Sequence, residues 1–282
     1  MLQNESIHEE VRIQQEIQSL YKNYEASDYL VANHWHPHLE ILYLLKGCLL
    51  LTVGDQEFSL NPGSLAVINS HEIHSTRCSG INKVIMLQIP YELLSASIPG
   101  FDHIRFVNLP SCKEGVLPEE NPTRLLLALN DIYSQKEDGW QLQFRSLLYR
   151  LLYILYRAGH ETVSLSVKIR SERNLTRLQA ITDYVKVHYK EPITLAEAAK
   201  VSGFNPEYFC RFFKKHMGVT FLTYIQTVRL SHVYEELIST DYTITEILER
   251  HGVGNYRLFM KLFKETYGCT PLQKRKQLAQ SS

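Results

Sequence analysis

The sequence predicts an α+β protein of two domains, in which a β-barrel with flanking helices precedes an all-α domain. Three observations support this prediction. The chain has 282 residues, more than one ordinary small domain needs, and 44% of them are hydrophobic, enough to build two cores. Short apolar runs separated by turn residues fill the first part of the chain. Helical patterns with an internal repeat fill its last third.

The β-barrel is predicted between about residues 33 and 108. Apolar runs such as LEILYLL and KVIMLQIP alternate there with turn residues, including Asn61-Pro62-Gly63. Proline presets the backbone angle of such a turn, and glycine accepts a positive φ. Runs of this length and composition are typical of strands in an antiparallel sandwich or barrel.

Beyond residue 120 the apolar residues follow a helical period. Asn121 and Pro122 can begin one helix, and a second helix, 139–159, ends at Gly159. The second is apolar almost all round, so it must be buried, either in a core or against a partner chain. We predict a first domain at 1–160 with its helices at about 121–159, a linker at 161–173 and a helical domain at 174–282.

An internal repeat organises the helical domain. Three residues recur at an offset of 49, from Thr194, Glu197 and Gly203 to Thr243, Glu246 and Gly252. Four more recur at an offset of 50, from Phe209, Phe213, Lys214 and Gly218 to Phe259, Phe263, Lys264 and Gly268. Each unit is a short helix, a glycine-centred turn and a second helix that ends at glycine, which is a helix-turn-helix. A long helix, Phe221 to Ile238, joins the two units.

The charge distribution favours a polyanionic partner for this domain. The whole chain has 30 basic and 30 acidic residues, but the part from Lys168 onward has 18 basic and 11 acidic residues. It therefore carries +7 and the remainder −7. Two recognition helices about 34 Å apart could enter successive major grooves of double-stranded DNA.

The second helix of each unit supplies the candidate DNA contacts. Arg211 can bond a guanine edge, whereas Lys214 and Lys215 suit phosphates. Tyr208 and Phe212 are predicted to face the core. The full candidate set is Asn205, Glu207, Cys210, Arg211, Lys214, Lys215, Asn255, Tyr256, Arg257, Met260, Lys261 and Lys264.

The region from about 174 to 275 resembles the DNA-binding domain of AraC/XylS-type transcription regulators. The resemblance is carried by TLAEAAKVSGFNPEYFCRFFKKHMGVTF, by Arg229-Leu230 and by FKETYGCTP. It implies a sequence-specific regulator rather than an enzyme, in which a single copy carries two helix-turn-helix units on one long helix and binds adjacent major grooves. We further expect a homodimer formed through helix 139–159, with RNA polymerase as another partner. The chain departs from the family pattern at Leu248, Val253 and Lys274, and a tyrosine is typical at the last of these positions.

A histidine cluster marks the predicted barrel. The pattern HxHxxxE begins at His34, and Gly47 follows it, as in the first motif of cupin barrels. This resemblance implies a sensor for a small-molecule effector, such as a sugar. In a continuous strand the alternate side chains share one face. We therefore predict an effector-binding set of His34, His36, His38, Glu40 and His74.

The same side chains leave a metal site open. Imidazoles and a carboxylate suit a divalent transition metal, which His34, His36, Glu40 and His74 could hold. We favour a ligand pocket without a cofactor over this alternative.

Other functional classes find little support. The sequence has no apolar run of about 18 residues, and its first residues lack a secretory h-region, so we expect a cytosolic protein without a membrane span. Its five cysteines include no CxxC pair, and GxSxG, P-loop, GxGxxG and HExxH motifs are absent. Two alternatives stay open: a metal-dependent cupin enzyme with a helical appendix, and a helical scaffold without affinity for nucleic acid.

Overall fold

The computed structural model describes residues 13–108 and 121–281, excluding the side chains of 165–172 and 278–281. Residues 1–12 and 109–120 of the predicted first domain lie outside this description. The strands are β1 (Leu20–Ser27), β2 (Leu30–His34), β3 (Leu39–Lys46), β4 (Leu49–Val53), β5 (Gln56–Leu60), β6 (Leu65–Ile68), β7 (His74–Cys78), β8 (Ile81–Ile89), β9 (Ile104–Phe106) and β10 (His160–Thr162). The helices are α1 (Tyr91–Ser97), α2 (Pro122–Gln135), α3 (Trp140–Ala158), α4 (Leu165–His188), α5 (Leu195–Val201), α6 (Pro206–Met217), α7 (Phe221–Ser239), α8 (Ile244–Arg250), α9 (Tyr256–Tyr267) and α10 (Pro271–Ser281).

The N-terminal domain is built from two four-stranded antiparallel sheets. The first sheet has the order β1-β8-β3-β6, and the second has the order β2-β7-β4-β5. An apolar cluster that includes Leu44, Leu51 and Ile68 fills the space between them. The predicted β-rich first domain is confirmed.

The barrel begins at Leu20, so the predicted start near residue 33 is wrong. Strand β1 pairs with β8 along its whole length, from Leu20 opposite Gln88 to Ser27 opposite Ile81. Most of its residues are only partly buried or exposed, because β1 lies at the edge of the first sheet. An edge strand carries many polar residues, which is why the sequence did not indicate a strand here.

Helices α2 and α3 cover the outer face of the first sheet. Asn121 caps α2 by accepting a hydrogen bond from the Thr123 N–H, and Pro122 occupies the first helical position. The inner face of α3, including Phe144 and Leu151, packs with the sheet in one apolar cluster. This face of the helix is therefore buried in a core, which was the first of the two predicted alternatives. Strand β3 is covered on both faces, which explains its continuous apolar run.

The predicted linker at 161–173 is not an irregular connection. Residues His160–Thr162 form β10, which pairs with β9, and α4 begins at Leu165 and continues to His188. The helical part of the chain therefore begins about nine residues before the predicted boundary at 174. The sequence concealed this because the segment is polar and lacks an amphipathic pattern.

The C-terminal domain consists of the two predicted helix-turn-helix units. Helices α5 and α6 form the first unit, α8 and α9 form the second, and α7 joins them. Each unit has its own apolar cluster, one centred on Phe209 and Phe213 and the other on Phe259 and Phe263. Within the described residues, no helix combines the length and apolar character that a membrane span requires.

Both units begin with the same local device. Thr194 caps α5 and Thr243 caps α8, each by accepting a hydrogen bond from the backbone N–H of the glutamate three residues later, Glu197 or Glu246. The glutamate accepts the N–H of the capping residue in return, which completes a capping box. The repeated threonine and glutamate residues of the sequence are therefore repeated helix caps.

The turn glycines of the two units differ in how closely other atoms approach them. Gly203 and Gly252 both have a positive φ, of 72° and 66°. A Cβ at Gly252 would lie 1.9 Å from the Lys190 carbonyl oxygen, whereas nothing lies within 4 Å of one at Gly203.

We expect Gly203→Ala to cost roughly 1–2 kcal/mol, because alanine disfavours a left-handed conformation. Gly252→Ala should cost about 1–3 kcal/mol more, since the Lys190 backbone just beyond α4 must also move. Urea unfolding of the full chain measures both, and equal losses would contradict the packing argument.

Candidate nucleic-acid interface and ligand site

Helix α6 presents an amphipathic surface whose start and end are fixed by capping. The Asn205 side chain accepts the Tyr208 N–H, Pro206 occupies the first position, and Gly218 ends the helix in a left-handed conformation. The buried face consists of Phe209, Phe212, Phe213 and Met217.

The outward face of α6 contains the predicted candidates. All six of them are exposed: Asn205, Glu207, Cys210, Arg211, Lys214 and Lys215. Tyr208 is not in the core as predicted, because 46% of its surface is exposed and its ring packs edge-on against Phe204. It adds an aromatic ring with a hydroxyl group to this face. Its position in the first turn of the helix, three residues after the capping Asn205, was the signal that the sequence offered.

Helix α9 repeats this arrangement. Asn255 accepts the Leu258 N–H, and Gly268 ends the helix. The exposed candidates are Asn255, Tyr256, Arg257, Lys261 and Lys264. Met260 is only half-buried and packs against the cluster of the second unit, so it belongs partly to the core.

Two arginines that the candidate set lacks fix the helices behind these faces. The buried Arg229 of α7 donates hydrogen bonds of 2.7 Å to the carbonyl oxygens of Tyr189 and Glu191, just beyond α4. Arg275 of α10 donates to the Tyr242 carbonyl. Arg229 is one of the residues that carry the family resemblance, which was its signal in the sequence.

The histidine cluster is assembled from both sheets. His34 and His74 are register partners on β2 and β7 of the second sheet, whereas Glu40 is paired with Gln88 on β3 and β8 of the first sheet. His36 lies on the connection that crosses between the sheets. All five side chains are buried.

The polar atoms of the cluster converge. One ligand nitrogen from each of His34, His36 and His74 lies within 4.8 Å of the others. The Glu40 carboxylate lies 2.9 Å from His36 Nε2 and 4.0 Å from His74 Nε2, and it accepts a 2.7 Å hydrogen bond from the Gln88 side chain.

The environment of the cluster shifts its protonation equilibria. Burial, followed by the neighbouring imidazoles, lowers the pKa of His34 to about 3, and burial lowers the pKa of His74 to about 4. Burial alone would raise the pKa of Glu40, but the hydrogen bond from His36 and the nearby His74 lower it below its usual range. Near neutral pH, His34 and His74 are thus neutral and Glu40 is ionised.

His38 does not join this cluster, contrary to the prediction from strand alternation. Strand β2 ends at His34, and residues 35–38 form an irregular connection to β3 in the other sheet. The alternation of side chains therefore stops at the crossing, where Pro37 lies. The His38 ring is only stacked on that of His36, with centroids 5.8 Å apart.

A cavity of about 330 Å³ opens between the barrel and α7. Its barrel side includes the polar residues His34, Glu40 and His74 and the apolar residues Ala32, Leu42 and Met86. Its other side is formed by α7, through Val228, Ser231, His232, Tyr234, Glu235 and Ile238. A volume of this size and a mixed lining are typical of small-ligand sites.

Contacts beside the cavity join the two domains. The Asn33 side chain donates to the Met217 carbonyl at the end of α6, at 2.9 Å. Ser231 of α7 donates to the Leu30 carbonyl at 3.3 Å. Trp35 is buried in the apolar cluster of the first helix-turn-helix unit.

An ion pair between Asp28 and Lys274 also joins the two domains. Lys274 is 5% exposed, and it occupies a position at which the sequence departs from the family pattern. Burial would raise the pKa of Asp28, but hydrogen bonds from the Gly80 N–H and from Lys274 lower it.

We expect Asp28→Asn to destabilise the chain, because the substitution leaves the Lys274 ammonium buried without a carboxylate. Asparagine tolerates the positive φ of this position, 50°, and can still accept the Gly80 N–H. In a double-mutant cycle with Lys274→Met, urea unfolding should give a coupling energy of about 0.5–3 kcal/mol.

Asp55→Asn, at an exposed turn, is the matched control and should leave the free energy of unfolding nearly unchanged. Additive effects of Asp28→Asn and Lys274→Met would show that the ion pair does not connect the domains.

Comparison with known proteins agrees with this division into two domains. Residues 17–152 match the model of an AraC-like ligand binding domain, and residues 198–277 match a helix-turn-helix domain. Among curated proteins, the Bacillus subtilis "uncharacterized HTH-type transcriptional regulator YbfI" is 27% identical over 71% of this chain and 70% of its own length. The B. subtilis regulator YdeC, described in the same words, is 21% identical over 86% of this chain and 85% of its own length.

The crystal structure of ToxT from Vibrio cholerae O395 has the same fold. It superposes with a TM-score of 0.51 at 14% sequence identity, over 93% of this chain and 98% of ToxT. Two exposed recognition helices, a barrel with a ligand-sized cavity and both domain matches lead to one assignment. The chain belongs to the AraC family of transcription regulators and joins an AraC-like ligand-binding domain to a DNA-binding helix-turn-helix domain.

Proposed function

We propose that this regulator binds double-stranded DNA by inserting α6 and α9 into successive major grooves, and that a small molecule in the interdomain cavity controls this binding. The observation that carries the proposal is the duplicated pair of capped helices, each with an exposed face rich in basic and polar side chains, attached to the two ends of α7. A major groove admits a helix of this kind.

Each recognition helix offers candidates for base contacts and for phosphate contacts. On α6, Arg211 is suited to a bidentate contact with a guanine, and Lys214 and Lys215 to phosphates. On α9, Arg257 is the corresponding candidate for a base contact, and Lys264 for a phosphate. We infer that α6 supplies more of the sequence discrimination, because Met260 on α9 is partly withdrawn into the core.

The position of the cavity can couple effector binding to DNA binding. A ligand there contacts the barrel and α7 together, so its binding energy depends on how the DNA-binding domain is docked. The polar histidine end and apolar walls suit a small polar molecule with an apolar part, and the sugar-type effector inferred from the sequence is one such class.

A homodimer is the proposed functional unit. Helix α3 exposes an apolar stripe opposite its buried face, formed by Leu142, Tyr149, Tyr153 and Tyr156. Exposed aromatic residues in one line along a helix suit packing against the same helix of a second copy. RNA polymerase is a further proposed partner. We also propose that the protein is cytoplasmic, where it can reach DNA, and that it is not an enzyme.

We expect the purified full chain to select, from genomic DNA fragments, a site with two half-motifs about one helical turn apart. Its affinity should fall steeply as salt rises, since lysines and arginines displace counterions from phosphates. Selection and sequencing at two salt concentrations, with and without candidate effectors, measures both properties. A salt-independent interaction, or no enrichment under any condition, would contradict the proposal and favour the enzyme or scaffold alternatives.

On the selected site, Arg211→Ala should lower affinity by about 1–3 kcal/mol and relax the preference at one base position. Arg257→Ala should have a smaller effect on base preference. Lys83→Ala, which removes an exposed positive charge from the barrel, is the matched control and should change little. Competition binding against single-base variants measures these differences, and a larger loss of discrimination at Arg257 would reverse the assignment of the leading unit.

A further inference from the structure

The first turns of α6 and α9 each carry an exposed apolar side chain at the same position. Tyr208 of α6 is 46% exposed, and Leu258 of α9 is 40% exposed. Each lies three residues after the capping asparagine, Asn205 or Asn255, whose side chain accepts its backbone N–H. The 50 positions between Tyr208 and Leu258 are the offset of the repeat. A single exposed apolar residue is ordinary on a protein surface, but its recurrence at equivalent positions of both helices indicates a shared role.

The ring of Tyr208 is held in place by its neighbours. It packs edge-on against Phe204, with ring centroids 4.7 Å apart, and it is stacked at 6.3 Å from the ring of Phe212. The Arg177 guanidinium of α4 lies over Phe204, 4.7 Å from the ring centroid. A side chain that is already ordered loses little conformational freedom on binding, so Tyr208 is suited to a contact with a partner.

Tyr208 also lies close to Arg211, the candidate for a base contact on α6. At about 100° per residue, Tyr208 projects roughly 60° from Arg211 around the helix axis, whereas Cys210 projects roughly 100° from it on the opposite side. Along the axis Tyr208 and Arg211 are about 4.5 Å apart, between one and two base-pair steps of about 3.4 Å. The N-terminal residues of a recognition helix are those that reach base edges.

We propose that Tyr208 and Leu258 each contact the C5 methyl group of a thymine, one in each half-motif of the DNA site. This inference rests on the proposed DNA binding. The thymine methyl is the apolar group that an A·T pair presents in the major groove, and apolar side chains recognise it. The contact of Tyr208 adds a thymine preference within about two base pairs of the guanine bound by Arg211.

The repeat favours this contact over a phosphate contact through the Tyr208 hydroxyl group. Leucine has no hydroxyl group, so the property that the two equivalent residues share is apolar surface. The phosphate contacts have other candidates on both helices, Lys214 and Lys215 on α6 and Lys264 on α9.

The test replaces each thymine of the selected DNA site in turn by deoxyuridine, which pairs with adenine but lacks the methyl group. We expect the wild-type full chain to lose about three- to fivefold in affinity at one position in each half-motif, as for one buried methyl group. Fluorescence anisotropy titrations at one fixed salt concentration measure these affinities.

Variants assign the two positions. Tyr208→Ala should abolish the uracil effect in one half-motif and Leu258→Ala in the other, whereas Tyr208→Phe keeps the ring and should respond like the wild type. Tyr242→Ala is the matched control and should keep the wild-type response. Tyr242 is also exposed and packs under an arginine, Arg250, but it lies between α7 and α8, outside both recognition helices. Tyr208→Gln replaces the alanine variant if that variant does not fold.

The absence of a uracil effect at every position, or an unchanged effect in the variants that lack the apolar side chain, would overturn the thymine contacts. A uniform loss of affinity of Tyr208→Phe on all sites would assign the hydroxyl group to a phosphate and would also overturn them. Salt-sensitive selection of a site without any uracil effect leaves the proposed function standing. Failure of the wild type to select a site refutes the proposed function, and this inference with it.

Discussion

Strand β2 is shared by the two domains, and the relation between the cavity and the DNA-binding helices depends on it. Side chains of an extended chain alternate in direction, so neighbouring residues can serve opposite sides. His34 enters the polar cluster of the barrel, whereas Asn33 and Trp35 on either side of it contact the first helix-turn-helix unit. This segment of the chain therefore contributes side chains both to the barrel and to the DNA-binding domain.

One wall of the cavity, helix α7, belongs to the DNA-binding domain. Helix α7 closes the cavity on one side and holds both helix-turn-helix units at its ends. The buried Arg229 of α7 donates hydrogen bonds to the carbonyl oxygens of Tyr189 and Glu191, just beyond α4, and so links these two helices. A ligand whose affinity depends on whether the DNA-binding domain is docked on the barrel shifts the equilibrium between the docked and undocked states. The shift cannot exceed the difference between its binding free energies for the two states.

The sequence predicts those parts of the structure whose signals are local. The capping residues, the turn glycines and the helical period reveal both helix-turn-helix units, and Asn205 with Pro206 marks the start of α6. The crossing between sheets is not local, so alternation wrongly placed His38 beside Glu40. The pairing of Lys274 with Asp28 joins two distant segments whose individual residues look like ordinary surface charges. Tertiary contacts decide such positions, and one sequence cannot supply them.

The separation of 246 positions between Asp28 and Lys274 also has a consequence for biosynthesis. At roughly 5–20 residues per second, translation needs about 12–50 seconds to reach the second residue after the first. The barrel can fold early in that interval, before the residues that bury Trp35, at 175–228, have been made. A barrel that folds at this stage exposes Trp35 to water, and its cavity is still open on the side that α7 later covers.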